Sequence, residues 1–380
     1  MNSPKLIAKD ISIDHIENLY ESHSNGHPLL LPNGFKSLRI GLISRLSQFF
    51  ITQEKKHNAP LYFSWVNPEN KKSSTDIVTD PICLAALLMA DDIIGADKKP
   101  IKRELSSLLV NRFDTPVFKK GRQIQMFAID HSIDRYARPE CFYHSNEEAK
   151  IPQSPSYYFD VIQEYLKDVA KDSTLKIRDY IGIGELLAEL ANNTDQHGRS
   201  DYAKGRSPRS VRAIVVNSHL IQTGVDASGI CGEQNSIASY IESVRPRKKT
   251  LSLLEISVFD SGPGIYRSFP KSQDFPSLEE ESELVTNSFK DGITSKPNGI
   301  GVGRGLDRAR KILNDRQGFL SVRTGRLAMY RDYKANPIVE QADTEAPDIQ
   351  LFDEVTNHQN IFTEMSEVEG VSYTILVPLK

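Results

Sequence analysis

The stretch ELLAELANNTDQHG, residues 185–198, decides the reading of this chain. It forms the second half of a helix expected over Leu175–Gln196. Glu189, Asn193 and His197 recur every four residues and so share one face. Leu186, Leu187 and Leu190 lie toward another face and can pack. A carboxylate and a carboxamide one turn apart, on a helix that is otherwise well packed, can hold a hydrated metal and orient a water or hydroxyl. Mg²⁺ prefers oxygen ligands and keeps several waters, so one Asn oxygen plus phosphate oxygens makes a sensible partial shell. Taken alone, the same pattern also describes a solvated polar face.

Two later segments extend the pattern. In SVFDSGPGIY, residues 257–266, a strand ends at Asp260 and a Gly-containing turn follows. Gly262 and Gly264 allow close backbone approach and unusual φ values. A buried Asp at a strand end can accept a hydrogen bond from an exocyclic amine such as that of adenine. An ordinary Asp-x-Gly turn reads the same way. In SFKDGITSKPNGIGVGRGLDRARKIL, residues 288–313, Gly299, Gly301, Gly303 and Gly305 alternate before a helix that begins near Leu306. Backbone N–H groups of such a loop suit anionic phosphates, and Lys296 and Arg304 flank it with charge. It is not a Walker A loop, because no G-K-[ST] follows, and no βαβ unit marks it as a dinucleotide fingerprint.

In this order, the three segments resemble the N, G1 and G2 boxes of the GHKL, or Bergerat-fold, ATPases. That superfamily includes gyrase, MutL, MORC proteins and sensor histidine kinases. E-L-x-x-N is matched by Glu189 to Asn193, D-x-G-x-G by Asp260 to Gly264, and G-x-G-x-G-L by Gly301 to Leu306. FKDGITSK (289–296) is similar to the F-box and lid of the kinase branch, and GVSYTILVPL (370–379) to the closing strand. The resemblance covers roughly residues 155–380. It implies an α/β sandwich, a mixed sheet with helices on one face, that binds ATP and Mg²⁺. Asn193 would ligate Mg²⁺ and Glu189 would act as the general base. Asp260 would read the adenine amine. Gly262, Gly264, Gly301, Gly303 and Gly305 would shape the pocket and lid. Lys296 would reach toward the terminal phosphate, and His197 would face the pocket rim. Residues 265–300 would form a mobile lid. Thr194 departs from the usual Ala, a small change.

The rest of the chain divides in two. Residues 1–150 read as a separate α/β domain, for which sensing or oligomerisation is the natural guess. It mixes a helical pattern (Leu38, Leu42, Leu46, Phe49) with strand-like runs at Leu61–Val66 and Gln123–Ile129. A linker rich in Pro, Ser and charge spans Arg138–Ser156, and helix Tyr157–Ala170 opens the second domain, residues 151–380. Strands are expected at Arg212–Ile221, Leu251–Asp260, Phe319–Val322 and Val371–Val377, with a helix at Leu306–Leu313. Insertions fall near 200–249 and 331–369. Glu340–Glu369 holds nine Asp or Glu and no Lys or Arg, so both insertions read as solvated surface excursions.

Composition narrows the class. Lys and Arg number 47 against 50 Asp and Glu, a net charge of −3, which argues against a nucleic-acid-coating protein. Three cysteines far apart fit a reducing compartment better than a disulfide framework. The longest apolar run, Ile82–Ala90, is too short to span a bilayer and reads as a buried helix. A cytoplasmic protein without membrane association is expected. Two basic clusters, Lys204, Arg206, Arg209 and Arg212, and Arg245, Arg247, Lys248 and Lys249, fit solvated loop charge better than nucleic-acid contact, because no aromatics are interleaved.

The module's C-terminal place resembles histidine and anti-sigma kinases more than gyrase, whose transducer lysine has no obvious source here. Yet no phosphoacceptor box is recognisable, since His131 in DHSIDRYARPE lacks the Glu-Leu pair. Two functions therefore stand. One is an ATP hydrolase whose lid closure signals to the N-terminal domain or a protein partner, with a kinase acting in trans as its variant. The other is a nucleotide-gated interaction module without turnover. Self-association fits either.

Overall fold

The computed structural model describes residues 3–35, 39–67, 69–109, 115–119, 123–129, 139–145, 150–169, 176–198, 200–201, 205–206, 210–232, 235–245, 250–269, 276–290, 305–338 and 350–379. Residues 5–107 combine short strands and helices: β1 (Lys5–Leu6), α1 (Ile13–Ser22), β2 (Leu29–Leu30), α2 (Leu42–His57), β3 (Leu61–Tyr62), α3 (Lys71–Thr79), α4 (Pro81–Met89), β4 (Ile93–Ile94) and α5 (Lys102–Ser107). The four strands form a parallel sheet in sequence order. Parallel neighbours need crossover connections, and the helices supply them. The run expected to be a strand over Leu61–Val66 pairs only at its first two residues. The apolar run near residue 82 is indeed a buried helix. Asp80 caps α4 by accepting from Ile82 N (2.9 Å) and Cys83 N (3.0 Å), Pro81 opens it, and every residue is buried. Among the described residues no helix is long and apolar enough to cross a membrane.

The remaining elements build one large sheet and its cover. In chain order they are β5 (Val117–Lys119), β6 (Gln123–Ile129), the hairpin of β7 (Tyr143–Ser145) and β8 (Lys150–Pro152), α6 (Pro155–Val169), α7 (Ile177–Gly198), the small pair β9 (Ser200–Asp201) and β10 (Gly205–Arg206), β11 (Val211–Ile221), α8 (Ser228–Cys231), α9 (Asn235–Val244), β12 (Leu251–Asp260), a 3₁₀ turn (Tyr266–Ser268), α10 (Leu278–Asn287), α11 (Gly305–Arg316), β13 (Phe319–Gly325), β14 (Leu327–Asp332), β15 (Phe352–Asp353) and β16 (Val368–Pro378). The sheet has eight strands in the order β15-β14-β13-β16-β12-β11-β6-β5.

Every pairing in that sheet is antiparallel, which corrects the expected mixed sheet. Tight connections explain part of this: β13 and β14 close through Gly325–Arg326, where Gly325 adopts φ +52°. Helices also cover both faces instead of one. Leu254, Ile256 and Val258 of β12 pack with α6, α7 and α11, while Ala213, Val215 and Phe259 pack with α2 and α4. Strands buried on both sides, such as β12, have cover on both sides. The small parallel sheet joins the second core through Leu29, Leu61 and Ile93. Thus α2 is held between two sheets and is buried from Leu42 to Glu54.

The expected division at residue 150 does not separate the sheets, because β5 and β6 pair into the large one through β11. Nor are the two insertions wholly solvated. Helix α9 buries Ile237, Tyr240 and Ile241, and the acidic segment buries Asp353 and Glu354. Asp353 is retained because it accepts hydrogen bonds from Val355 N, Thr356 N and Thr363 N, and Glu354 because it meets Arg45 at 2.5 Å.

Candidate functional site

Helix α7 is anchored before it is functional. Leu186, Leu187 and Leu190 are buried in the core, as their spacing requires. Gly184 lets α6 come so near that a Cβ there would lie 2.8 Å from Phe159 N and Pro155 O. Thr194, where an alanine would be simpler, is buried and returns its hydroxyl to Ala191 O at 2.9 Å. This fixed rod presents Glu189 and Asn193 to the start of α11. A Cβ on Gly305 would sit 2.9 Å from Glu189 Oε2 and 3.4 Å from Asn193 Oδ1. Two segments more than a hundred residues apart therefore meet at these three residues. Among the described residues, Asn193 Nδ2 is buried without a hydrogen-bond partner. Arg308, on the first turn of α11, reaches Glu185 at 2.7 Å and Glu189 at 3.7 Å.

The C-terminal end of α7 meets Asp260. A Cβ on Gly198 would lie 2.8 Å from Asp260 Cβ, and one on Gly262 would overlap the His197 carbonyl oxygen. Asp260 Oδ1 accepts from Gly262 N at 2.8 Å. Gly264 has φ +87° and turns the chain so that Ile265 N donates to Thr324 Oγ1 at 3.0 Å. Gly370, φ +71°, passes so close that a Cβ would overlap the Asp260 carbonyl oxygen. Asp260 is buried, and desolvation pushes its carboxyl up to about 6. Hydrogen bonds from Gly262 N and Val371 N, and the charges of Lys55 and Arg212, oppose that rise. Lys55 comes from α2. It donates to Ser261 O at 2.8 Å and pairs with Glu369 at 2.8 Å.

A cavity of about 150 Å³ lies against the same turn, lined by Gly264, Tyr266, Thr324 and Arg326 among others. Neither Glu189, Asn193 nor Asp260 lines it. Its charges are already paired, Arg267 with Glu367 and Arg326 with Glu281. It is a neighbour of the cluster and not its centre.

Glu189, Asn193 and Gly305 thus form one group, and Asp260, Gly262 and Gly264 a second, joined by the last two turns of α7. Lys296, Gly301 and Gly303 lie outside the described residues. Sequence reasoning missed Lys55, Thr324, Gly198 and Gly370, whose local patterns are unremarked; only the fold brings them to Asp260. It also misplaced Arg212. That residue is 1% exposed, not solvated loop charge, because β11 carries it into the core. Chemically, a carboxylate and a carboxamide beside a helix start suit an anion with a hydrated cation, and a buried carboxylate suits a nitrogen donor. Compared with known proteins, no family model matches this chain and no curated protein matches it.

Proposed function

We propose that the chain binds ATP with Mg²⁺ in a Bergerat-type site and hydrolyses it, lid closure signalling to the N-terminal region or to a protein partner. The observation that carries this reading is the meeting of Gly305 with Glu189 and Asn193. The G2-like glycine and the N-box-like pair were matched only as sequence, and a nucleotide site needs them side by side. The donor set fits the metal: Asn193 offers a carboxamide oxygen for Mg²⁺, which would supply charge neutralisation at the phosphates. Its unpartnered Nδ2 leaves a donor available to a phosphate oxygen. Glu189 would take the proton from the attacking water. Asp260, still mainly ionised at pH 7 with a carboxyl near 6, would accept from the adenine amine.

Helix α2 suggests how the site speaks to the N-terminal region. Its polar side chains rest on the strand ends beside Asp260. Gln48 donates to Arg323 O at 3.0 Å and accepts from Ser372 Oγ at 2.8 Å; Thr52 accepts from Glu369 N at 3.0 Å; Lys55 holds Ser261 O. A shift of the turn after Asp260 would be felt directly by α2.

A second reading, a nucleotide-gated module without turnover, is favoured by one contact: Arg308 neutralises the carboxylate that would act as base. That pair is half-exposed and weak, on the order of 0–1 kcal/mol, so a nucleotide could displace it. Titration calorimetry of ATP·Mg into wild type, Asp260→Asn and Asn193→Ala, with phosphate release beside Glu189→Ala, separates the readings. Binding lost in Asp260→Asn, with turnover lost in Glu189→Ala, supports the hydrolase. Binding and ATP-dependent assembly that survive Glu189→Ala, with no phosphate release in wild type, support the gated module or a kinase awaiting its acceptor. Absence of binding in wild type would end both.

A further inference from the structure

Arg212 stands directly opposite Asp260 in the β11–β12 ladder, so both side chains project to the same face of the sheet. That face is the one covered by α7. Arg212 donates to the hydroxyl of Tyr143 and lies 3.5 Å from Asp195. Tyr143 in turn donates to Asp195. The guanidinium also lies over two rings, 4.9 Å from the centre of Phe142 and 5.2 Å from that of Tyr143. Asp195 is two residues beyond Asn193 on α7, and Gly198, which abuts Asp260, is three further on. One buried cation therefore ties together the β7 segment, the end of α7 and the strand beside Asp260.

We propose that Arg212 is a positioning residue of the nucleotide site: through Asp195 and Tyr143 it fixes the last turn of α7 against the strand that pairs with Asp260. This rests on the reading of Asp260 and Asn193 as nucleotide-binding residues. A buried guanidinium with planar, fixed donors suits this role better than an ammonium, because it meets a carboxylate and a phenol at once and stacks on both rings. The charged and titratable groups that face Asp260 are Arg212 from β11, Lys55 with its partner Glu369 from α2 and β16, and Tyr373 from β16. Removal of Arg212 leaves less positive charge beside the buried carboxyl, with Lys55 still opposing the rise, and ionisation of Asp260 becomes harder.

Two measurements on the full chain test this. The first is ATP·Mg affinity from pH 5 to 8 for wild type, Arg212→Gln, Arg212→Lys and Tyr143→Phe. Arg212→Gln should weaken binding about tenfold or more at pH 7, the loss expected for charge-assisted hydrogen bonds. The loss should be larger at pH 6 than at pH 8, and Arg212→Lys should restore the pH midpoint but not the full affinity. Tyr143→Phe, which removes one hydroxyl and so is the milder variant, should weaken binding without moving the midpoint. No loss in Arg212→Gln would overturn the proposal. The second measurement needs no nucleotide. Amide exchange in Arg212→Gln and Tyr143→Phe should speed up over 193–198 by about tenfold while the β12–β16 ladder stays protected. Unchanged exchange there would overturn the pin even if ATP binds. Absence of ATP binding in wild type, with exchange behaving as expected, would instead overturn the nucleotide reading and leave the pin in place.

Discussion

Gly305 and Glu189 are so placed that any side chain on the glycine would touch the carboxylate: a Cβ would lie 2.9 Å from Oε2. The obstacle is the far end of a flexible side chain, so Gly305→Ala should fold with little loss of stability, under about 1 kcal/mol. The carboxylate must move, however, and Asn193 stands 3.4 Å from the same point. If the chain hydrolyses ATP as proposed, phosphate release should fall by an order of magnitude or more while the melting temperature hardly changes. Equal loss of both would mean that Gly305 serves packing alone.

Gly262 and Gly370 should behave differently, because what they meet is backbone. A Cβ on Gly262 would overlap the His197 carbonyl, and one on Gly370 the Asp260 carbonyl. Neither neighbour can rotate away. Gly370 also has φ +71°, which adds strain for any other residue. Each Ala variant should lose about 2–3 kcal/mol or more in urea unfolding, Gly370→Ala the more. A Gly262→Ala protein as stable as wild type would show that the α7 end is looser than the close approach implies.

Asp260 should trade stability for function. Burial raises its carboxyl from 3.8 to about 6 in the folded chain. The protonated form is therefore favoured by folding, and that stability is fully present below about pH 4 and lost as pH rises through 6. At pH 7 to 8 the ionised group costs on the order of 3 kcal/mol. Asp260→Asn should accordingly be more stable than wild type at pH 7.5, with the gain shrinking toward pH 4, yet, on the proposed nucleotide reading, bind no ATP. Thermal unfolding across pH 4–8 measures this. A variant less stable than wild type at pH 7.5 would mean that Lys55 and the Gly262 and Val371 amides more than offset the burial.

How far these features could be read in advance depended on how local their cause is. β12 runs over Leu251–Asp260 as expected, since alternating apolar residues and a Gly turn are local signals. The site helix α7 and the buried α4 were legible for the same reason. The β6–β11 pairing was not, because nothing at Gln123–Ile129 states its partner eighty residues on. Strands of two residues, such as β1 to β4, are too short to show a period. Helix α2 misleads in another way. Ser44, Arg45, Gln48 and Thr52 look like a wet face, but each is satisfied by the second sheet. Within the candidate site, Glu189, Asn193, Asp260 and their glycines stood out as local patterns, whereas Arg212 resembled its loop neighbours until β11 placed it beside Asp260.

The docking of the N-terminal region rests on a buried charge network, and that gives the last prediction. Arg323 of β13 is 0% exposed and donates to both oxygens of Glu17 from α1, each at 3.2 Å. Arg45 of α2 donates to Glu354 at 2.5 Å and to Ser321 Oγ at 3.2 Å, and lies 3.9 Å from Glu17. Burial pushes both carboxyls up, but the Arg323 guanidinium wins at Glu17 and holds it below its ordinary value, while Glu354 stays above. Glu17 thus stabilises the fold above its unfolded value near 4.5, and that contribution is lost as pH falls through its lower folded value. Glu354 has the opposite sense. Arg323→Met removes the main cation beside Glu17, which is half-buried and keeps Arg45 at 3.9 Å, and should cost about 1–3 kcal/mol at pH 7. Glu17→Gln with Arg323→Met should recover most of that loss, since neither charge then remains. The same double variant should flatten the acid limb of the stability curve below pH 4.5. Additive losses in the two single variants and the double would show that Glu17 and Arg323 act independently, and that the network does not seat α1 on β13.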